Sequence, residues 1–195
     1  MVTTSAAKIV GNQPIVPAPR NIENFRLALD STPATSVIAL FGDINDLPVL
    51  IAEAGQRGKR LIIHFDLFDG LGKDRAGLKL VAKMGVTSVI TTKAQLVKLA
   101  QEEGLSVIQR LFLVDSESLR TGLNLLKNTR PDMLEVLPAV IPAPIIANLL
   151  TQTRLPIMAG GLLSTREEVL RVLKSGVTAV STSRPELWNI DGRSL

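Results

Sequence analysis

Residues 155–164, LPIMAGGLLS, decide the fold, because they read as a strand, a glycine turn and the start of a helix. The apolar run IMA ends at Gly160 and Gly161, and Ser164 and Thr165 precede the helical pattern REEVLRVLKSG. Adjacent glycines allow a positive φ and a close approach of the backbone to a ligand. A following helix offers unpaired N–H groups and the positive end of its dipole. The segment predicts an anion-binding turn or, equally, a tight connection without a ligand.

The next apolar run outward, residues 177–183, ends in Ser181-Thr182-Ser183. Two consecutive strand ends that supply backbone donors or hydroxyls match the phosphate cradle of a (β/α)8 barrel, which forms after strands seven and eight. This second segment therefore favours the anion-binding interpretation of the glycine turn.

Short apolar runs recur along the whole chain, with helical patterns between them. The runs begin near Pro14, Val37, Arg60, Ser88, Ser106, Met133, Pro156 and Val177. Each interval has about the length of one βα unit, and eight such units favour a closed parallel sheet. We therefore predict an α/β fold, a compact TIM-like (β/α)8 barrel with short connections. It forms a single domain over residues 13–195, and residues 1–12 form a flexible N-terminal lead-in.

Composition excludes several classes of protein. The 195 residues include no cysteine and one histidine, which rules out disulfides, thiolate metal sites and histidine-rich metal sites. The sequence shows no signal-peptide core and no apolar run long enough to span a membrane, so we expect a cytoplasmic protein. The net charge of +4 is compatible with a polyanionic partner. Aromatic residues make up 3%, so nucleic acid would be bound through phosphates rather than stacking.

Polar residues at the predicted strand ends are the candidates for chemistry, since the carboxyl ends of barrel strands face the site. They are Asp43, His64, Asp66, Arg110 and Glu135. Each also has a structural interpretation. Asp43 could cap a turn, His64 could be a hydrogen-bonded barrel residue, and Asp66 could pair with a nearby cation. Arg110 and Glu135 could be each other's partners across the barrel, because a buried charge is costly without a partner.

A basic stripe follows the third predicted strand. Arg75, Lys79 and Lys83 are spaced by four and share one helix face. Such a row could follow a nucleic-acid backbone, but the ordinary interpretation, and the favoured one from the pattern alone, is the solvated face of an amphipathic helix.

Six short segments then occur in a fixed order. They are QPIVPA at 13–18, HFDL at 64–67, QRLFLVDS at 109–116, PDMLEVLP at 131–138, AGGL at 159–162 and STS at 181–183, followed by Leu187-Trp188. Together they resemble the glycerol uptake operon antiterminator regulatory proteins of bacteria, the GlpP family. A basic residue followed by Asp or Asn after the first strand also belongs to that pattern, and it falls on Arg20-Asn21.

The resemblance implies a non-enzymatic transcription regulator with no cofactor or metal. It binds glycerol 3-phosphate as effector and leader mRNA as partner, and it controls glycerol-utilisation genes by favouring read-through of a terminator. The implied phosphate ligands are Gly160, Gly161, Ser181, Thr182 and Ser183. The implied residues at the polyol end or pocket are Asp43, Asp66, Arg110 and Glu135. The candidates for RNA contact are Arg75, Lys79 and Lys83.

Two other functions remain open from the sequence. A small phosphate-handling enzyme of the isomerase or aldolase type fits the same barrel, because fold does not decide function. No strand carries an interior lysine for Schiff-base chemistry, which disfavours it. A sensor that acts through a protein partner is the other alternative. A homo-oligomer is possible in every case.

Overall fold

The computed structural model describes residues 4–191, and its centre is a sheet of eight parallel strands. The strands are β1 Ile15–Pro17, β2 Ser36–Ala39, β3 Arg60–His64, β4 Ser88–Thr91, β5 Ser106–Phe112, β6 Met133–Leu137, β7 Ile157–Gly160 and β8 Ala179–Thr182. Their order is β1-β8-β7-β6-β5-β4-β3-β2. A hydrogen bond of 3.1 Å from the N–H of Leu40 to the carbonyl of Pro19 joins the two edges beyond β1 and β2. The predicted TIM-like barrel is confirmed, with every strand beginning within about two residues of its predicted start.

Helices alternate with the strands around the outside of this barrel. They are α1 Thr4–Val10, α2 Ile22–Ser31, α3 Leu47–Gln56, α4 Arg75–Lys83, α5 Ala94–Glu102, α6 Ser116–Thr129, α7 Ala143–Thr153 and α8 Arg166–Lys174, with short 3-10 helices at Phe65–Leu67 and Pro185–Leu187. Within residues 4–191, β8 is followed by a 3-10 turn rather than by an α-helix. None of the helices described is long and apolar enough to cross a membrane.

The inside of the barrel changes from apolar to polar along the strand direction. One apolar layer takes a single residue from each strand: Val16, Ile38, Ile62, Ile90, Ile108, Met133, Met158 and Ala179. Side chains alternate faces with a period of two, so residues two positions further on form the next inward layer. At five of these positions the residue is polar: His64, Thr92, Arg110, Glu135 and Ser181. The fold therefore places these side chains at the C-terminal end of the barrel, which we call the mouth.

The first segment of the chain, predicted as a flexible lead-in over residues 1–12, packs against the barrel in its described part. Its described part includes helix α1, and Ile9 and Val10 join the apolar cluster inside the barrel. Ser36 Oγ donates to the carbonyl of Ile9 at 2.9 Å, and Arg60 donates to the carbonyl of Lys8 at 2.7 Å. A helix of 7 residues depends on tertiary packing rather than on propensity, and so it leaves a weak signal in the sequence.

Candidate functional site

A cleft of about 310 Å³ opens at the mouth, mainly over β5 to β8. Its lining residues are Ala18, Arg20, Leu40, Arg110, Glu135, Leu137, Gly161, Leu162, Leu163, Ser164, Ser181, Thr182, Ser183 and Arg184. We call it the mouth cleft. It contains four of the five predicted phosphate residues and two of the four predicted polyol residues, and these come from separate strand ends.

The floor of the mouth cleft is a buried ion pair with a hydroxyl attached. Glu135 is 1% exposed, and its Oε2 accepts a hydrogen bond from Arg110 Nε at 2.6 Å. Its other oxygen, Oε1, accepts from Ser181 Oγ at 2.7 Å. The two residues predicted either as mutual partners or as ligand contacts are thus partners that also face the cleft. An ionised carboxylate has about four acceptor positions, so Glu135 can still receive a ligand hydroxyl.

Gly160 does not line the mouth cleft, and its role is to leave room for the floor. A Cβ added there would lie 2.2 Å from Ser181 Oγ and 3.3 Å from Glu135 Oε1. No real Cβ tolerates the first distance, so a larger residue would displace the Ser181 hydroxyl from Glu135. The glycine that the sequence suggested as a phosphate contact is required by the hydrogen-bonded floor.

The wall after β7 is a left-handed turn. Gly161 has φ 79° and Leu162 has φ 59°, and the carbonyl of Gly161 accepts from the N–H of Ala139 at 3.2 Å. Glycine favours this region of φ, whereas leucine rarely adopts it. The turn therefore holds the backbone of β7 against the cleft, as expected for a close approach to a ligand.

The start of α8 is a capping box, as the spacing of Thr165 and Glu168 in the sequence predicts. The carboxylate of Glu168 accepts from the N–H of Ser164 at 2.7 Å and from the N–H of Thr165 at 3.1 Å. The Thr165 hydroxyl accepts in return from the N–H of Glu168, which completes a capping box. A carboxylate of the chain itself thus occupies this helix end, and an anion in the mouth cleft needs other donors.

Two arginines that the sequence analysis did not assign to the cleft supply positive charge at its rim. Arg20 follows β1, and Arg184 follows β8. Arg184 contacts Glu186 at 3.1 Å in an exposed pair, whereas Arg20 forms no ion pair with any residue from 4 to 191. The signals were present in the sequence, because Arg20 belongs to the family pattern and Arg184 directly follows the STS segment.

Thr182 holds the loop after β8 in place. Its carbonyl accepts from the indole N–H of Trp188 at 2.8 Å, and its hydroxyl accepts from the N–H of Arg184 at 3.2 Å. The Leu187-Trp188 pair noted in the sequence therefore fastens the loop that carries Ser183 and Arg184 to the rim.

Asp66 lies outside the mouth cleft and connects two loops. Its carboxylate accepts from the hydroxyl of Thr91 at 2.8 Å, and from the N–H and hydroxyl of Thr92 at 2.7 and 2.8 Å. Burial opposes ionisation of Asp66, but the hydrogen bonds from the two threonines outweigh it and lower its pKa. Its contacts are those of a structural acid that stays charged.

Asp43 likewise lies outside the mouth cleft and caps a turn. Its Oδ1 accepts from the N–H of Asn45 at 2.6 Å and from the N–H of Asp46 at 3.3 Å. The loops after β2 and β3 also pair through their backbones, with the N–H of Ile44 donating to the carbonyl of Asp69 at 3.0 Å. The turn-capping interpretation of Asp43 is the one that the structure shows.

His64 is a buried neutral residue between Arg110 and Asp66. It is 2% exposed, and its Nδ1 has no hydrogen-bond partner among residues 4–191. Burial lowers its pKa to about 4, and the positive charge of Arg110 acts in the same direction, against the smaller effect of Asp66. The imidazole is therefore uncharged at neutral pH.

The predicted RNA stripe on α4 is only partly available. Arg75 pairs with Glu103 at 2.8 Å and with Glu102 at 2.9 Å, where the neighbouring helix α5 ends. Lys79 and Lys83 are exposed and form no ion pair within the described residues. Two free cations thus remain of the three.

No metal site is found in the part of the chain that the structure describes, because no three His, Cys, Asp or Glu side chains gather around a common point. Donor chemistry in the mouth cleft instead consists of guanidinium, hydroxyl and backbone N–H groups around one carboxylate. Such a set fits a small ligand that has both an anionic group and hydroxyls.

Comparison with known proteins identifies similar chains over nearly the whole length. Residues 15–188 match the family described as "Glycerol-3-phosphate responsive antiterminator". The YgcP protein of Escherichia coli K12 is 30% identical over 190 residues, which cover 96% of this chain and 97% of that protein.

Two solved structures share the fold and part of the sequence. The glycerol uptake operon antiterminator regulatory protein of Listeria monocytogenes is 31% identical, with a TM-score of 0.85 and coverage of 91% of this chain and 95% of that chain. A glycerol uptake operon antiterminator-related protein of Thermotoga maritima is 26% identical, with a TM-score of 0.80 and coverage of 90% and 98%.

Proposed function

The chain belongs to the glycerol-3-phosphate responsive antiterminator family, and we propose that it is a non-enzymatic regulator that binds glycerol 3-phosphate in the mouth cleft. The effector then controls read-through of glycerol-utilisation genes through their leader mRNA. The observation that carries the proposal is the cleft itself, with guanidinium groups at its rim and a carboxylate at its floor. That distribution matches a ligand with a phosphate at one end and hydroxyls at the other.

The two ends of the ligand take opposite positions in this proposal. The phosphate lies at the rim, against the turn at Gly161, the hydroxyl of Ser183 and the guanidinium groups of Arg20 and Arg184. Arginine suits phosphate because its planar fork donates two parallel hydrogen bonds. A glycerol hydroxyl donates to Glu135 at the floor, where a second anionic group would be repelled.

Regulation follows from the loops that carry these groups. Arg20 and Arg184 belong to loops after two paired strands, β1 and β8, and both are exposed. A dianionic phosphate between them stabilises the arrangement in which the loops are close together. The effector shifts the population of states only by its difference in affinity for them, so the loop arrangement with both arginines engaged is the one that favours RNA binding.

Gly161→Asp tests the position of the phosphate. Gly161 lines the mouth cleft, and a Cβ there would lie 3.5 Å from Leu137, another lining residue. The added carboxylate is thus beside the proposed phosphate, and calorimetric titration should show a loss of glycerol 3-phosphate affinity of roughly 100-fold or more from like-charge repulsion. Glycerol and inorganic phosphate, titrated separately, should each bind far more weakly than the phosphorylated polyol. Unchanged glycerol 3-phosphate affinity in this variant would remove the phosphate assignment.

Gly58→Asp is the matched control for that variant. Gly58 also has a left-handed backbone, with φ 64° against 79° for Gly161, and a Cβ there would meet no atom within 4 Å. Both variants therefore impose the same backbone strain and the same charge change. Gly58 precedes β3 at the end of the barrel away from the mouth, so Gly58→Asp should leave effector affinity unchanged.

A small phosphate-handling enzyme is the second candidate, because the Glu135 carboxylate at the cleft floor is placed where a general acid or base could act. Against it, the eight described strands contain no lysine, so a Schiff-base aldolase has no nucleophile there. Incubation of pure protein with glyceraldehyde 3-phosphate or dihydroxyacetone phosphate separates the two candidates. Turnover that is lost in Glu135→Gln would favour the enzyme.

A further inference from the structure

Four exposed cations lie at the ends of three successive helices, at the N-terminal end of the barrel. Lys127 and Arg130 lie at the end of α6, Arg154 at the end of α7 and Lys174 at the end of α8. We call this set the basic α6–α8 face. It is at the opposite end of the strands from the mouth cleft, since each helix ends where the next strand begins.

The charge of the basic α6–α8 face is not neutralised by neighbouring acids. None of its four cations forms an ion pair in the part of the chain that is described, and Lys127 has a neutral partner, Asn124, at 3.2 Å. The three connecting segments, residues 126–132, 150–156 and 172–178, contain a single carboxylate, Asp132. That carboxylate accepts from the N–H of Val107 at 2.8 Å and from the side chain of Gln101 at 3.3 Å, so it is engaged in the sheet and α5.

Three other basic residues at the same end of the barrel are used internally. Arg57 pairs with Asp30 at 2.5 Å, and Lys59 donates to the carbonyls of Thr32 and Ala34, each at 2.7 Å. Arg60 is bound to the first helix, as described above. Lys8 and Lys83 are exposed there without an ion pair among the described residues, but each stands at a separate helix end, whereas the basic α6–α8 face has four such cations on three successive helix ends.

Two of the four residues adopt a backbone conformation that arginine rarely takes. Arg130 has φ 49° and Arg154 has φ 57°, and both are left-handed C-caps of their helices. Glycine is the usual residue at this position, because a Cβ makes the conformation unfavourable. Arginine at these two successive helix ends is therefore less stable than glycine would be. Backbone strain of this kind is commonly found where a side chain has a function.

A groove of about 570 Å³ runs between these two helix ends. It is lined by Leu123, Leu126, Lys127, Arg130, Gln152, Thr153 and Leu155. Its two cations, Lys127 and Arg130, are donors suited to phosphate oxygens, and no aromatic side chain lines it for base stacking. A polyanionic backbone is thus the partner that the charge and the lining favour.

We propose that the basic α6–α8 face is the surface that contacts the phosphate backbone of RNA. This rests on the proposed function, and it places the RNA contact away from the effector, so the effector signal passes through the barrel. The exposed cations of α4, Lys79 and Lys83, are then outside the RNA contact.

The test measures binding of a fluorescent stem–loop RNA that ends in a run of uridines, by anisotropy at several salt concentrations with glycerol 3-phosphate present. Arg130→Gly/Arg154→Gly removes two phosphate contacts and also relieves the left-handed strain. Each contact contributes about 0.9 to the salt slope, so affinity should fall roughly 30-fold at 0.15 M salt and the slope should flatten by about 2. The melting temperature should stay equal or rise, which separates this loss from unfolding.

Two further variants complete the design. Arg130→Lys/Arg154→Lys keeps the charge and should keep most of the affinity, whereas Lys79→Ala/Lys83→Ala removes the same charge from α4 and should leave affinity unchanged. If the glycine variant binds RNA as tightly as the wild type, this proposal fails while the proposed function stands. If the wild type binds no RNA, or binds anionic vesicles instead, both the proposal and the RNA part of the proposed function fail.

Discussion

The two halves of the barrel mouth are built from the same strand and loop units, yet they use their polar residues differently. Over β2 to β4, the loops are joined to one another by the pairing of Ile44 with Asp69 and by the contacts of Asp66 with Thr91 and Thr92. Over β5 to β8, backbone hydrogen bonds such as that from Ala139 to Gly161 also join the loops, but the polar side chains at the strand ends line the mouth cleft. In the closed half the polar strand-end side chains are engaged by loop groups, and in the open half they are accessible to a ligand.

Lys73 illustrates the closed half. Its ammonium donates to the carbonyl of Phe65 at 2.6 Å and also to the carbonyl of Phe68. Burial lowers the pKa of Lys73, and its position beside Lys93 acts in the same direction. A lysine of this kind fastens a loop. The difference between the halves teaches that a polar strand end marks a ligand site only where neighbouring loops leave its groups accessible.

The largest expected effect is a loss of stability when the ion pair at the floor of the open half is broken. Arg110→Met leaves the Glu135 carboxylate buried without its counter-ion, and removing one partner of such a pair costs about 3–5 kcal/mol. Urea unfolding at pH 7 measures this loss. A variant within about 1 kcal/mol of the wild type would show that Glu135 is not held charged by Arg110.

The double variant Arg110→Met/Glu135→Leu separates the role of the ion pair in stability from its role in effector binding. Replacing both charges by apolar groups is often neutral or stabilising, so most of the lost stability should return. Effector binding should be lost in the double variant, because no acceptor is left for the glycerol hydroxyls. Recovery of stability without binding would show that this half keeps a buried ion pair for its ligand and not for the fold.

The fold was predictable because the barrel repeats one simple pattern. Apolar runs of strand length alternate with amphipathic helices, and glycines such as Gly85, Gly104 and Gly176 end helices with a positive φ. The packing of α1 into the far end of the barrel was not predictable, since Lys8 and Gly11 interrupt its apolar pattern. Its helical state depends on contacts with β2 and β3 that lie far along the chain.

The site was predictable to the level of strands but not of individual roles. Arg110, Glu135 and Ser181 come together because inward positions on β5, β6 and β8 share one layer. Asp43 and Asp66 are carboxylates that follow strands, as polar candidates for the site should. They lie outside the cleft because of the conformation of their loops. That conformation depends on hydrogen bonds between neighbouring loops, which have no periodic signal in the sequence.

His64 lies at the boundary between the halves, and it predicts how stability depends on pH. Its pKa is about 4 in the folded protein and about 6.5 in the unfolded chain. Between these values the unfolded chain binds a proton that the folded protein does not. The free energy of unfolding should therefore fall by about 3 kcal/mol as the pH is lowered from 7 to 4.

His64→Gln should flatten this decline, as measured by urea unfolding at a series of pH values. Asp66 contributes little to this decline, because a carboxyl group with a lowered pKa loses its stabilising contribution mainly below the unfolded value of about 3.8. If the free energy of unfolding of His64→Gln falls as steeply between pH 7 and 4 as that of the wild type, other groups cause the decline. The assignment of His64 as a buried neutral residue would then be wrong.

The smallest effect belongs to the closed half. Asp43→Ala removes the acceptor of two backbone N–H groups in a partly exposed turn, which should cost about 1 kcal/mol in the free energy of unfolding. Affinity for glycerol 3-phosphate should not change, because Asp43 does not line the mouth cleft. Calorimetric titration and thermal unfolding of the same preparation measure both quantities. Weaker effector binding with an unchanged melting temperature would mean that the ligand reaches across the mouth to the loop after β2, and the two halves would then form one site.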